Sequence, residues 1–108
     1  MNNLNLMQFM KYNKVIVKPG KRDDVTEAIL EFFKVVQTKD TKMKGFIVMN
    51  SLEDHSECIV LTFWETKKDM DEFYQKDNRL LSDLVEKLKP SFEIMPERKS
   101  YQVSDFKI

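Results

Sequence analysis

The sequence predicts a single α+β domain in which helices cover one face of an antiparallel sheet. Three observations predict it. Ile59 to Trp64 is apolar at every position except Thr62, the pattern of a strand buried on both faces. That strand runs directly into Thr66 and Asp69, whose spacing resembles a helix capping box. The chain has 108 residues, enough for one core and one layer of helices. A single helical layer covers one sheet face, so the doubly apolar strand calls for a second cover, and a second copy of the chain supplies it.

The elements follow in order. Residues 1–8 form a polar, asparagine-rich lead, either a frayed tail or an extra edge strand, and 9–108 form the domain. Phe9 to Lys18 alternates, with Asn13, Val15 and Val17 on one face and Tyr12, Lys14, Ile16 and Lys18 on the other. Asn13 is the polar odd member of its face. Pro19-Gly20 ends this strand, and Val25, Ala28, Ile29, Phe32, Phe33 and Val36 recur at helical spacing from about Asp23 to Gln37. The acidic pair Asp23 and Asp24 suits the positive end of that helix. Gly45 to Leu52 and Cys58 to Glu65 are two strands joined by the turn-like Glu53-Asp54-His55-Ser56, an antiparallel hairpin. A helix from Lys67 to about Lys76 turns Met70 and Phe73 inward and breaks at Asp77-Asn78. Leu80, Leu81, Leu84, Val85 and Leu88 then form an apolar stripe that stops at Pro90. Phe92 to Val103 returns as an extended segment interrupted by Pro96. This order is the ferredoxin-like βαββαβ plan, with its second helix in two pieces.

Composition narrows the function classes. The 18 basic and 18 acidic residues cancel and are scattered, so no long-range field steers nucleic acid or anionic membrane to the surface. Apolar runs fall well short of the roughly 20 residues of a membrane helix, and no basic-then-apolar leader is present. A soluble cytoplasmic protein is expected. His55 and Cys58 are the sole residues of their types, so no multi-histidine or multi-cysteine metal site is expected. With only Gly20 and Gly45, no glycine-rich phosphate loop can form. The acidic groups Glu53-Asp54 and Asp69, Asp71 and Glu72 lie in a turn and at a helix start, where solvent and the helix dipole account for them.

Met10-Lys11-Tyr12-Asn13 followed by Gly20, Lys44-Gly45-Phe46, and Leu61-Thr62-Phe63-Trp64-Glu65-Thr66-Lys67 occur in an order and spacing that carry a resemblance. Over residues 10 to about 103 the chain resembles the antibiotic-biosynthesis-monooxygenase family of dimeric α/β-barrel proteins, related to the bacterial haem-degrading monooxygenases. The resemblance implies a homodimer of two such sheets. In the haem-degrading branch it implies an asparagine, a tryptophan and a histidine ligand facing a pocket between sheet and helices. Asn13 matches the first, whereas Phe73 and Asp83 stand at the other two positions. A carboxylate is not a usual axial haem ligand, and Asp83 lies off the apolar stripe, as a solvated helix residue does.

The wider family implies oxidation of an electron-rich aromatic or quinol-like substrate by O2 without metal or flavin, so no cofactor is expected and haem is the alternative. Such chemistry needs a dry pocket and hydrogen bonds that favour a substrate anion. Asn13 and Trp64 are the candidate catalytic residues; Phe32, Phe33, Phe73 and Tyr74 are the candidate substrate walls, although each phenylalanine also fits ordinary core packing. A noncatalytic small-molecule-binding or stress-response dimer of the same fold is the competing reading.

Overall fold

The computed structural model describes residues 7–39 and 41–107. Of the lead, residues 1–6 lie outside the described residues, and Gln8 accepts a hydrogen bond through its carbonyl from Val103 N at 2.7 Å. The elements are β1 (Phe9–Ile16), α1 (Arg22–Gln37), β2 (Met43–Asn50), β3 (Glu57–Trp64), α2 (Lys67–Phe73), α3 (Arg79–Leu88), a 3-10 turn (Lys89–Ser91) and β4 (Glu97–Gln102). The four strands form one antiparallel sheet in the order β2-β3-β1-β4. This is the ferredoxin-like arrangement, and the doubly apolar β3 occupies an inner position.

Register decides what each face carries. On the covered face Asn13 pairs with Val60 of β3 and Arg98 of β4, and Val15 pairs with Cys58. Cys58, Val60, Thr62 and Trp64 are buried there beneath Val25, Ile29, Phe33 and Val36 of α1 and Met70 and Phe73 of α2. At roughly 1.5–3 kcal/mol for each large apolar side chain, this layer is the main source of stability. The opposite face carries Tyr12, Ile59, Leu61, Phe63, Ile47 and Met49 with no helix over them. Ile47 and Met49 are each 43% exposed, while Phe63 is shielded in part by Phe106, whose ring lies 6.3 Å away.

Local chemistry explains the element ends. Gly20 has φ of 76°, which the turn between β1 and α1 requires and a side chain would resist. Arg22 ties the hairpin to the start of α1 by donating from Nη1 to the carbonyls of Ser51 at 2.7 Å and Asp54 at 3.0 Å. Thr66 caps α2 by accepting from Asp69 N at 3.1 Å, as the spacing predicted. That helix stops at Phe73 instead of Lys76, because Asn78 Nδ2 donates to the Phe73 carbonyl at 2.6 Å while the Asn78 side chain also caps α3. The stripe on α3 narrows to Leu81, Leu84, Val85 and Leu88, since Leu80 is 36% exposed. The final strand is shorter than the extended segment it was read from. Phe92 meets the sheet through a single bridge to Val17, and regular pairing begins only after Pro96, which has no N–H to donate.

No described helix is long and apolar enough to cross a membrane.

Candidate functional site

Two adjoining chambers, both partly open to solvent, lie between the covered sheet face and the helices, the inner one deeper against the sheet. The inner chamber, about 60 Å³, is walled mainly by carbon: Val15, Ile29, Phe32, Phe33, Val60, Phe73, Leu84, Leu88 and Phe92 contribute, with Asn13 at its sheet side. The outer chamber, about 290 Å³, adds Gln75, Lys76, Ser82, Glu86 and Met95. Tyr74, Leu81, Val85, Pro96 and Arg98 line both and form the junction.

A chain of polar groups runs along the sheet to this junction. Trp64 Nε1 donates to Thr62 Oγ1 at 3.0 Å, and the Thr62 and Tyr74 hydroxyls lie 2.8 Å apart, where either can donate. Asn13 Nδ2 donates to the Tyr74 oxygen at 3.2 Å and to the Val60 carbonyl at 3.1 Å. Asn13 Oδ1 accepts from Arg98 Nε at 3.1 Å. The amide is therefore fixed in orientation, with its NH2 toward oxygens and its oxygen toward a guanidinium. Asn13 is 7% exposed and Thr62 fully buried, and burial at that level is tolerable because the bonds are made. Among the described residues no buried side-chain nitrogen or oxygen lacks a partner.

Tyr74 sits at the centre of the chain. Burial pushes its phenol above the ordinary range, while hydrogen bonds from Thr62 and Asn13 and the nearby Arg98 charge pull the other way. Arg98 Cζ and Lys11 Nζ each lie 5.1 Å from the centre of the Tyr74 ring, close enough for cation–π attraction. Lys11 also donates to Ser100 Oγ at 2.7 Å, and its own pKa is lowered, first by burial and then by Arg98 and Lys67 against the opposing pull of Asp71.

The structure gathers five of the sequence-predicted residues at the inner chamber: Asn13, Phe32, Phe33, Phe73 and Tyr74. Trp64 does not line either chamber. It is fully buried behind Thr62, packed 5.0 Å from the Phe73 ring, with its N–H already given to Thr62, so any influence on a ligand passes through Thr62 and Tyr74. Asp83 is exposed on α3 and lines neither chamber. Sequence reasoning missed Arg98 and Thr62. The buried polar Asn13 signals that a partner lies across the register, but only the strand pairing shows that this partner is Arg98.

Haem does not fit these residues. The position implied for its ligand holds the outward-facing Asp83, His55 lies in the hairpin turn, and the Tyr74 hydroxyl is already bonded. The described residues also contain no group of three or more His, Cys, Asp or Glu able to hold a metal ion.

No protein-family model matches the sequence, and no curated protein matches it. Solved structures do resemble it in fold. A conserved protein from Methanosarcina mazei Go1 superposes with a TM-score of 0.77 at 15% identity, covering 94% of this chain and 98% of that one. A candidate antibiotic biosynthesis monooxygenase from Nitrosomonas europaea gives 0.77 at 13% identity, covering 92% of each chain. Another from Caulobacter crescentus CB15 gives 0.76 at 12% identity, covering 95% and 96%. The chain thus has the fold of the structures named antibiotic biosynthesis monooxygenases, as its strand-borne motifs implied.

Proposed function

We propose that the protein is a small monooxygenase that oxidises an ionisable aromatic, a phenol or quinol-like molecule, with O2 and no bound cofactor. The observation that carries this reading is the placement of Arg98 at the junction of the chambers. Among the described residues the one hydrogen bond of its guanidinium leaves from Nε to Asn13, so its other N–H groups are open to an anionic oxygen. The outer chamber approaches the roughly 300 Å³ at the lower end of small-molecule sites, whereas the inner one alone does not.

In this reading the aromatic lies in the outer chamber with its oxygen at Arg98, which favours the ionised form that O2 can oxidise. The anion gives one electron to O2, and the resulting radicals combine to form a bond between a ring carbon and oxygen. Cleavage of the O–O bond, with loss of the ring hydrogen, leaves a quinone carbonyl and releases the second oxygen as water, the two hydrogens coming from the ring carbon and the hydroxyl. The substrate supplies all the electrons. Asn13 holds Arg98 and Tyr74 in place, Trp64 supports Tyr74 through Thr62, and Phe73 and Phe32 wall the inner chamber behind them.

The same proposal includes a homodimer closed through the uncovered sheet face, where Ile47, Met49, Ile59 and Leu61 would be buried against their copies. It also places the protein in the cytoplasm, where the buried thiol of Cys58, its pKa raised by burial, stays reduced and inert. A second reading, a noncatalytic binding dimer, is favoured by the shortage of a base: burial keeps Tyr74 protonated, and Glu86 of the outer chamber is the one carboxylate lining either cavity among the described residues.

Oxygen uptake with a panel of naphthols and hydroquinones separates the two. The enzyme reading expects uptake above the spontaneous rate, and a loss of about 100-fold or more in kcat/KM in Arg98→Ala, the scale of losing one oxyanion donor. Saturable binding with no uptake for any member supports the binding module instead.

A further inference from the structure

We propose that the inner chamber is a holding site for the gaseous co-substrate, dioxygen, and that the organic substrate stays outside it. This deepens the monooxygenase reading and rests on it for the identity of the gas. Size comes first. An apolar cavity that accepts a benzene ring is roughly 150 Å³, more than twice the inner chamber's volume of about 60 Å³. An aromatic substrate is therefore confined to the outer chamber unless the core is repacked, at a cost of about 1–3 kcal/mol.

Chemistry comes second. A buried water needs two to four polar partners. The polar atoms on the sheet side of the inner chamber are already engaged: Asn13 Nδ2 and Oδ1 with Tyr74, Val60 and Arg98, and the Tyr74 oxygen with Asn13 and Thr62. Apart from the open Arg98 N–H groups at the junction with the outer chamber, what remains is carbon, so the body of the chamber disfavours water and favours a small nonpolar molecule that water solvates poorly. Position comes third. Tyr74 and Arg98 line both chambers, so a gas molecule inside would sit next to the ring oxygen of an aromatic bound at Arg98, which is the juxtaposition that electron transfer to O2 requires.

The test uses O2 itself as the probe and needs no organic substrate. Methyl-labelled protein is observed by NMR under nitrogen and then under increasing O2 pressure, and the paramagnetic broadening of each methyl is compared. Val25 and Val36, both fully buried and lining neither chamber, report the general solubility of O2 in the core. The expected result is broadening at Val15, Val60, Leu84 and Leu88 that exceeds that at Val25 and Val36 and is lost when Leu84→Phe fills the space. Broadening no greater than at the two reference valines overturns the proposal, as does broadening that survives in a folded Leu84→Phe. If that variant does not fold, the wild-type comparison decides alone. Failure of the monooxygenase reading looks different: the chamber would still take up O2 while no aromatic is oxidised.

Discussion

One sheet presents two faces of similar apolar character and different architecture. On the covered face the side chains of β1 and β3 meet helices, and a line of polar groups from Trp64 to Arg98 is threaded through the apolar layer. On the other face Tyr12, Ile47, Leu61 and Met49 meet no helix, and the ring contacts there are Phe106 on Phe63 and Tyr101 on Tyr12. The difference shows how a chain this short divides its work. A polar network is kept where the helices bury Trp64, Thr62 and Asn13, and it reaches solvent at the exposed Arg98, while plain apolar surface is left where only shape has to be matched.

The comparison can be broken most forcefully at Phe73, whose ring touches Trp64, Tyr74 and Phe32. Phe73→Ala is expected to lower stability by about 3–5 kcal/mol in urea unfolding, the range for deleting a buried aromatic. On the opposite face, Leu61→Glu is expected to yield monomers by light scattering with helix content and ligand binding intact. A dimer that survives it would place the interface elsewhere.

Thr62→Val sharpens the contrast further, because it keeps shape while removing the hydroxyl that joins Trp64 to Tyr74. A buried indole N–H left without a partner costs about 1–3 kcal/mol, so a measurable destabilisation is expected despite the near-isosteric change. The state of Tyr74 can also be read by pH. Its folded pKa is raised above the ordinary 10.0, so the unfolded chain loses this proton first as pH rises. The stability linked to Tyr74 is therefore fully present below about pH 10 and is lost as pH climbs through the elevated folded value. Absorbance titration of the wild type against Tyr74→Phe checks the direction: the missing transition is the one displaced upward. The smallest effect belongs to the surface. Lys67 and Asp71 are 2.6 Å apart on the solvent side of α2, and Asp71→Asn is expected to cost no more than about 0.5 kcal/mol.

Much of this fold was legible because β3 and α1 state their burial openly. An unbroken apolar run and a helical repeat have few alternative placements. Asn13 was legible as a polar residue on an apolar face. Arg98 was not, because the extended segment from Phe92 to Val103 carries no periodicity that sets its register, and Pro96 divides it into a single bridge and a paired strand. Trp64 was legible as buried, yet its role depends on the side to which its N–H points, and here Thr62, two residues earlier on the same face, takes it. The break after Phe73 depends on an amide reaching back from Asn78, a contact across five positions that residue spacing alone does not specify.

The central claim is that the covered face binds an aromatic anion at Arg98. Its most direct test is quenching of the single tryptophan, Trp64, by a hydroxynaphthoquinone that is anionic at neutral pH, compared with the uncharged naphthoquinone. The account predicts saturable quenching by the anion, weakened about 10- to 100-fold in Arg98→Ala, as expected for a charge-assisted hydrogen bond, and unchanged in Leu61→Glu. Equal affinity for the neutral compound, or wild-type affinity in Arg98→Ala, would contradict it.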